Sequence, residues 1–551
     1  MKKHGWLILV IGIIFGFTLA KTTGKITRKK VKAAQELLGI RFENETIATM
    51  LDYLNNNLKG YESMRKFPLD NSISPALIFD PIPNDVVIKK DEGLNPWKIN
   101  EGAVLPDNPD ELAFYPLLDL AGLIYTRKIS ATDLTKLYLN RIQKHDPKLL
   151  SFVTITEDLA LQQAQKADDE LSKGLYRGPL HGIPYGIKDL AAVPGYPTTW
   201  GAAPFQNQVI DEIATVAKKL EDAGAVLLGK LVSGSLARGD VWFGGKTKNP
   251  WDLDQGATGS SAGSGAATAA GLVAFSIGTE TLGSIIAPST RTGSTGLRPT
   301  FGAVSKHGFM VLSWSMDKVG PICRSAEDCA LVFDYIRGVD PKDRTTKAAA
   351  FKPLNKLDIT QLKVAYFHEL FEKDSSSSGH NNQRTLDELK KIGINPIPIS
   401  IPQNFPFEVF DIILRAESGA FFDELVRSGT VDQLEEQHEG SRANSLRQSR
   451  FIPAVEYLQA NRHRTLLIQA FHDLIKEFDL VLSPTYAGNQ LLMTNLTGHP
   501  ALSLPNGFDD KGRPTSLTLI GNYFGEDKLV SLASIYQEAY KYHGLVPLSV
   551  K

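Results

Sequence analysis

Cysteine is what this sequence has least of: two residues in 551, Cys323 and Cys329. Two thiols cannot make the disulfide framework of a small secreted scaffold, and this chain is long enough for a core that needs none. They read as small, partly buried apolar side chains. No C-x-x-C, H-E-x-x-H or clustered-ligand spacing occurs, so no metal is expected. An excess of one charge is also missing. Sixty Lys and Arg face 61 Asp and Glu, a net charge of -1, which leaves no electrostatic footprint for nucleic acid. No fixed-period repeat occurs. What remains is the composition of a large soluble enzyme.

Long apolar runs are short of membrane length. The uncharged, mostly apolar stretch Trp6–Leu19 would cover roughly 21 Å as a helix, against a hydrocarbon core of ~30 Å. Basic residues precede it, and Thr18-Leu-Ala20 places small side chains before Lys21. Residues 1–20 therefore read as a cleaved export signal, with an uncleaved membrane tether through residues 6–19 as the alternative. The expected location is periplasmic or extracellular. The triplets Asn44-Glu-Thr46 and Asn495-Leu-Thr497 arise too readily by chance to establish glycosylation. Nothing sets an oligomeric state.

Residues 21–114 form an N-terminal extension: helical periodicity over 30–66, then a polar, proline-punctuated segment from Pro68 to about Pro109 that should wrap the surface. From residue 115 to about 545 short apolar runs alternate with helices. Ser130-Ala-Thr-Asp133 caps one helix and another covers Glu157 to Leu171. Gly182–Ile187, Ala225–Leu228, Val273–Ile277, Leu362–Tyr366 and Leu480–Leu482 read as buried strands, and Ala266–Leu272 as a small-residue helix. This alternation predicts an α/β fold whose sheet carries helices on both faces. Residues 407–476 should be almost wholly helical and cap one edge. Phe421, Phe422 and Tyr457 there either line an apolar entrance or are plain core.

Two motifs tempt and fail. Gly259-Ser-Ser-Ala-Gly263 fits a nucleophile elbow at Ser261, but the preceding Asn249–Gly256 is polar and reads as a loop, and no histidine stands out as its base. Gly245-Lys-Thr247 ends like a phosphate loop, yet Asp240 sits where that motif needs glycine, so no ATP site follows.

Three segments taken together carry more: Gly182-Ile-Pro-Tyr-Gly-Ile-Lys188-Asp189, Thr258-Gly-Ser260-Ser261-Ala-Gly, and Gly278-Thr-Glu-Thr-Leu-Gly-Ser284-Ile. The chain resembles the amidase signature family of Ser-cis-Ser-Lys serine hydrolases. Lys248-Asn-Pro-Trp-Asp252, Gly296-Leu-Arg-Pro-Thr-Phe-Gly302 and Asp317-Lys-Val-Gly-Pro321 fall in the family's order, and the resemblance spans roughly residues 115–545. It implies a central mixed, twisted sheet, Ser284 as nucleophile, Ser260 as bridging serine and Lys188 as base. It also implies a cis Gly259–Ser260 peptide and an oxyanion hole from the backbone N–H groups of Thr281, Leu282, Gly283 and Ser284. A serine hydroxyl needs a positioned base, and lysine serves only when burial keeps it neutral. No cofactor is implied.

The chain departs from the family at Leu282, for a usual glycine; at Ile286, for arginine; at Glu280, for aspartate; and at Thr258, for glycine. Either Arg291 or Arg298 could replace the lost charge. The expected activity is hydrolysis of a small-molecule carboxamide. The alternatives are a glutamine-hydrolysing protein of the tRNA-amidotransferase type, which hands ammonia to a partner enzyme, and a catalytically impaired ligand-binding member.

Overall fold

The computed structural model describes residues 25–64, 77–353 and 359–551. The chain divides into two compact units at residues 73/74. The described part of the first is a pair of helices, Arg28–Leu38 and Asn44–Met64. Thr27 caps the first, its hydroxyl accepting from the Lys30 N–H, and Gly39 ends it in the left-handed region. The export signal and the tether expected at residues 6–19 lie outside the described residues. Among the described residues no helix is long and apolar enough to cross a membrane.

The second unit opens with residues 77–108, which form neither helix nor strand. They are fixed by side chains instead: the Asn95 N–H and amide and the Trp97 indole all donate to Asp334 Oδ2. Arg337 bridges Asp334 to Asp91.

The core is an eleven-stranded mixed sheet. Its strands are β1 Phe152–Ile155, β2 Pro184–Lys188, β3 Val226–Leu231, β4 Phe275–Glu280, β5 Thr295–Arg298, β6 Lys318–Cys323, β7 Val364–Phe367, β8 Ile397–Ile399, β9 Leu480–Pro484, β10 Ala501–Phe508 and β11 Pro514–Gly521. They lie in the order β1-β3-β2-β4-β6-β5-β10-β11-β9-β7-β8. Every residue of β2, β3, β6 and β9 is buried, which explains the near-continuous apolar runs of β2, β3 and β9. The two parallel neighbours of β2 are β3 and β4, so its C-terminal end lies deep in the sheet.

Two expectations change in detail. Asn249–Gly256 is not all loop: Asp252–Gly256 pairs with Lys248–Asn249 in a small hairpin outside the main sheet. The small-residue helix spans Ala262–Ala269, starting earlier than its alanine-rich part suggests. Residues 407–476 are helical in part, chiefly in Asp411–Phe421, Arg442–Ser449 and Ala454–Ile475; between them residues 428–441 are loop with one 3-10 turn, Thr430–Gln433. Phe421 and Phe422 are buried against Trp200 and each other, so they join this cap to the core and do not line an open entrance. Cys323 and Cys329 are buried free thiols.

Candidate active site

Lys188 ends β2. Ile187 is in register with Ile277 of β4, which sets Lys188 beside the last residues of that strand. Its side chain is fully buried, and Nζ lies 2.8 Å from Ser260 Oγ, 2.9 Å from Thr279 Oγ1 and 3.5 Å from the Thr279 carbonyl. All three oxygens accept from Nζ, and the Ser260 hydroxyl can instead donate to the Nζ lone pair once the amine is neutral. Burial pushes the Lys188 ammonium well below its usual value; the Asp317 and Glu280 carboxylates pull the other way and do not restore it.

Ser260 stands on the loop that enters helix Ala262–Ala269, and the Gly259–Ser260 peptide is cis. Glycine is required at 259 by a close approach: a Cβ there would sit 1.9 Å from the Gly239 carbonyl oxygen. Thr258 takes a left-handed φ of 54°, held by donating its N–H to Asp240 Oδ2 at 2.8 Å. Ser261 is fully engaged elsewhere. Its hydroxyl donates to the Thr279 carbonyl at 3.1 Å and accepts from the Thr279 N–H at 3.2 Å, which ties the serine loop to β4.

The end of β4 runs into residues 281–285 and then helix Ile286–Thr292. Ser284 is on this turn, and its carbonyl accepts from the Ser261 N–H at 3.2 Å, so the two serine-bearing loops are joined through their backbones. Lys188 and Ser284 thus lie at the C-terminal ends of neighbouring parallel strands, the usual place for a site in an α/β sheet, and Ser260 reaches them from the loop that enters helix Ala262–Ala269. Ser284 is the outermost of the three, 8% exposed against 0% for Lys188. Gly283 supplies the left-handed residue of the turn, with φ 87°, and Leu282 lies outside that region, so leucine meets no backbone conflict there.

A profile of the family described as Amidase matches residues 133–491. The chain is 34% identical over 481 residues to the A subunit of a glutamyl-tRNA(Gln) amidotransferase from Pseudomonas aeruginosa, covering 78% of this chain and 98% of that protein. A peptide amidase from Stenotrophomonas maltophilia superposes with a TM-score of 0.69 at 27% identity, over 79% of this chain and 98% of that one. An amidase family protein from Bacillus anthracis shares the fold, with a TM-score of 0.71 at 23% identity over 83% and 99% of the two chains. This chain belongs to the amidase family.

In this amidase two of the altered positions, Glu280 and Ile286, are in direct contact. Glu280 accepts from Arg298 Nη1 and Asn495 Nδ2, both at 2.8 Å, and its other oxygen accepts from the Ile285 and Ile286 N–H groups at 2.8 and 2.9 Å. Burial opposes its charge, but the Arg298 guanidinium and these donors hold the carboxyl down at about 2. Arg298, and not Arg291, therefore supplies the charge. Arg291 instead donates to the Gly256 carbonyl at 3.5 Å. Asn495 is buried on Glu280, which removes it as a glycosylation acceptor. Thr279 and Asp317 fall inside segments that carry the resemblance, but nothing in those segments marks them as site residues, and Asn495 has no such segment; each acts through a partner distant in sequence.

Proposed function

We propose that this amidase cleaves a small-molecule carboxamide through a Ser284 acyl-enzyme, with Ser260 as proton relay and Lys188 as base. The observation that carries the proposal is the buried Lys188 amine, 2.8 Å from Ser260 Oγ. Neutral Lys188 takes the Ser260 proton as Ser260 takes that of Ser284, and Ser284 Oγ bonds to the substrate carbonyl carbon. The backbone N–H groups of Thr281, Leu282, Gly283 and Ser284, on the turn that presents Ser284, would receive the oxyanion. Collapse of the tetrahedral adduct breaks the C–N bond, and the departing amine or ammonia takes the proton back along the same path. Water, deprotonated by the same relay, then releases the acid. No step calls for a cofactor.

Purified wild-type protein, Ser284→Ala, Ser260→Ala and Lys188→Ala, assayed on a panel of aliphatic, aromatic, peptide-terminal and fatty amides, test the assignment. Undiminished turnover in Ser284→Ala would end it. Labelling of Ser284 by a fluorophosphonate separates an active enzyme from a member that only binds ligand.

The match to an amidotransferase component along 98% of that protein favours a second reading, glutamine hydrolysis with ammonia passed to a partner enzyme. The basic, apolar and small residues of positions 1–20 support the first reading, an exported enzyme kept apart from cytoplasmic tRNA. Glutaminase activity that rises on adding the other amidotransferase components would decide for the second, and recovery of the protein outside the cytoplasm would decide for the first.

A further inference from the structure

Asp317 immediately precedes β6, and the pairing of Lys318 with Glu280 puts it opposite Thr281 across the strand ends. Its Oδ1 accepts from Thr281 Oγ1 at 2.6 Å, and Oδ2 accepts from the Leu312 and Ser313 N–H groups at 2.8 and 3.0 Å. Among the described residues no Lys, Arg or His reaches it within ion-pair distance. Lys306 and Lys318 share with it the wall of a small cavity that Thr279 and Thr281 also line. A buried carboxylate costs a great deal unless donors satisfy it, and these three donors do so. The same turn is gripped from its other side by a second buried carboxylate, Glu417, on cap helix Asp411–Phe421. Glu417 accepts from Ser313 Oγ at 2.6 Å, from Ser315 N–H at 3.0 Å, from Ser315 Oγ at 2.7 Å and from the Tyr457 hydroxyl at 3.0 Å. Arg464, on helix Ala454–Ile475, donates to Ser315 Oγ and to its carbonyl, both at 2.8 Å.

We propose that Asp317 is a positioning residue: by holding the Thr281 hydroxyl it fixes the first N–H of the oxyanion turn, and through residues 312–317 it makes that placement depend on the cap at Glu417. This rests on the assignment of residues 281–284 as the oxyanion hole. Its consequence is that the cap acts on the rate of the chemical step. Oxyanion donors work by pre-set geometry, and small misplacements are costly to the rate while leaving ground-state binding almost untouched.

The test is steady-state kinetics on one amide that the wild type turns over. Thr281→Val removes the tether and keeps the shape; kcat should fall about ten- to a hundredfold with KM within about twofold. Thr281→Ser restores the hydroxyl and should recover most of the rate. Glu417→Gln should lower kcat in the same direction, and in the Thr281→Val background it should cost nothing further. Wild-type kcat in Thr281→Val, equal losses in Thr281→Val and Thr281→Ser, or full additivity with Glu417→Gln would each overturn the proposal. Loss of turnover in Ser284→Ala checks the underlying assignment separately.

Discussion

Arg298 Nη1 lies 2.8 Å from Glu280 Oε1, and both side chains are wholly buried. Glu280 in turn accepts the first two N–H groups that follow Ser284. The pair therefore couples the sheet at β5 to the start of the helix that follows Ser284. Glu280→Gln strands a guanidinium in the interior and should cost about 3–5 kcal/mol of stability. Denaturant unfolding measures it. The folded carboxyl sits at about 2 against an ordinary 4.5, so its contribution is present above the unfolded value and is lost as pH falls toward 2. Stability differences between wild type and Glu280→Gln should shrink over that acid window.

The pH dependence of kcat/KM should show one acid limb set by Lys188. Burial lowers its ammonium, so the neutral base is present at lower pH than an ordinary lysine would allow, and rate should rise with pH through that lowered value. Lys188→Arg, charged at every accessible pH, should be inactive throughout. A wild-type profile with no acid limb anywhere in the range where the fold is stable would contradict a lysine base.

Leu282 should shape the substrate. Its side chain is 37% exposed on the turn that carries Ser284. Beyond it Leu491 closes over Gly283, its Cδ2 lying 3.0 Å from where a Cβ at 283 would be. Leu282→Gly should lower kcat/KM for apolar amides about tenfold relative to small polar ones, since one apolar contact carries discrimination of that order. An unchanged ratio across an acyl-chain series would remove Leu282 from the binding surface.

Gly259→Ala should damage the site from beneath. The added methyl meets the Gly239 carbonyl, a backbone atom without freedom to retreat, so the serine loop has to move. A stability loss of about 1–3 kcal/mol is expected, together with loss of fluorophosphonate labelling at Ser284.

The residues proposed to react are legible in the sequence because Lys188, Ser260 and Ser284 each sit in a long local motif, and the buried strands β2, β3 and β9 announce themselves as apolar runs; β5 and β6, equally buried, carry arginine, lysine, glycine and proline and do not. The hairpin at Asp252–Gly256 is not, because a largely exposed strand of mixed polarity has no apolar period to read. Helix Ala262–Ala269 begins among glycine and serine, poor helix formers that tertiary packing overrides here. The choice of Arg298 over Arg291 depends on β4 and β5 both lying beside β6, and strand order leaves no local trace. The Asp317–Ser313–Glu417 connection spans about a hundred residues of chain and is invisible for the same reason.

Cys323 and Cys329 lie sealed in the interior, unbonded to one another. No covalent cross-link between them contributes to the fold, so oxidising conditions are not a requirement for making it. Kinetics measured on protein prepared with reductant and on protein prepared without it should therefore agree.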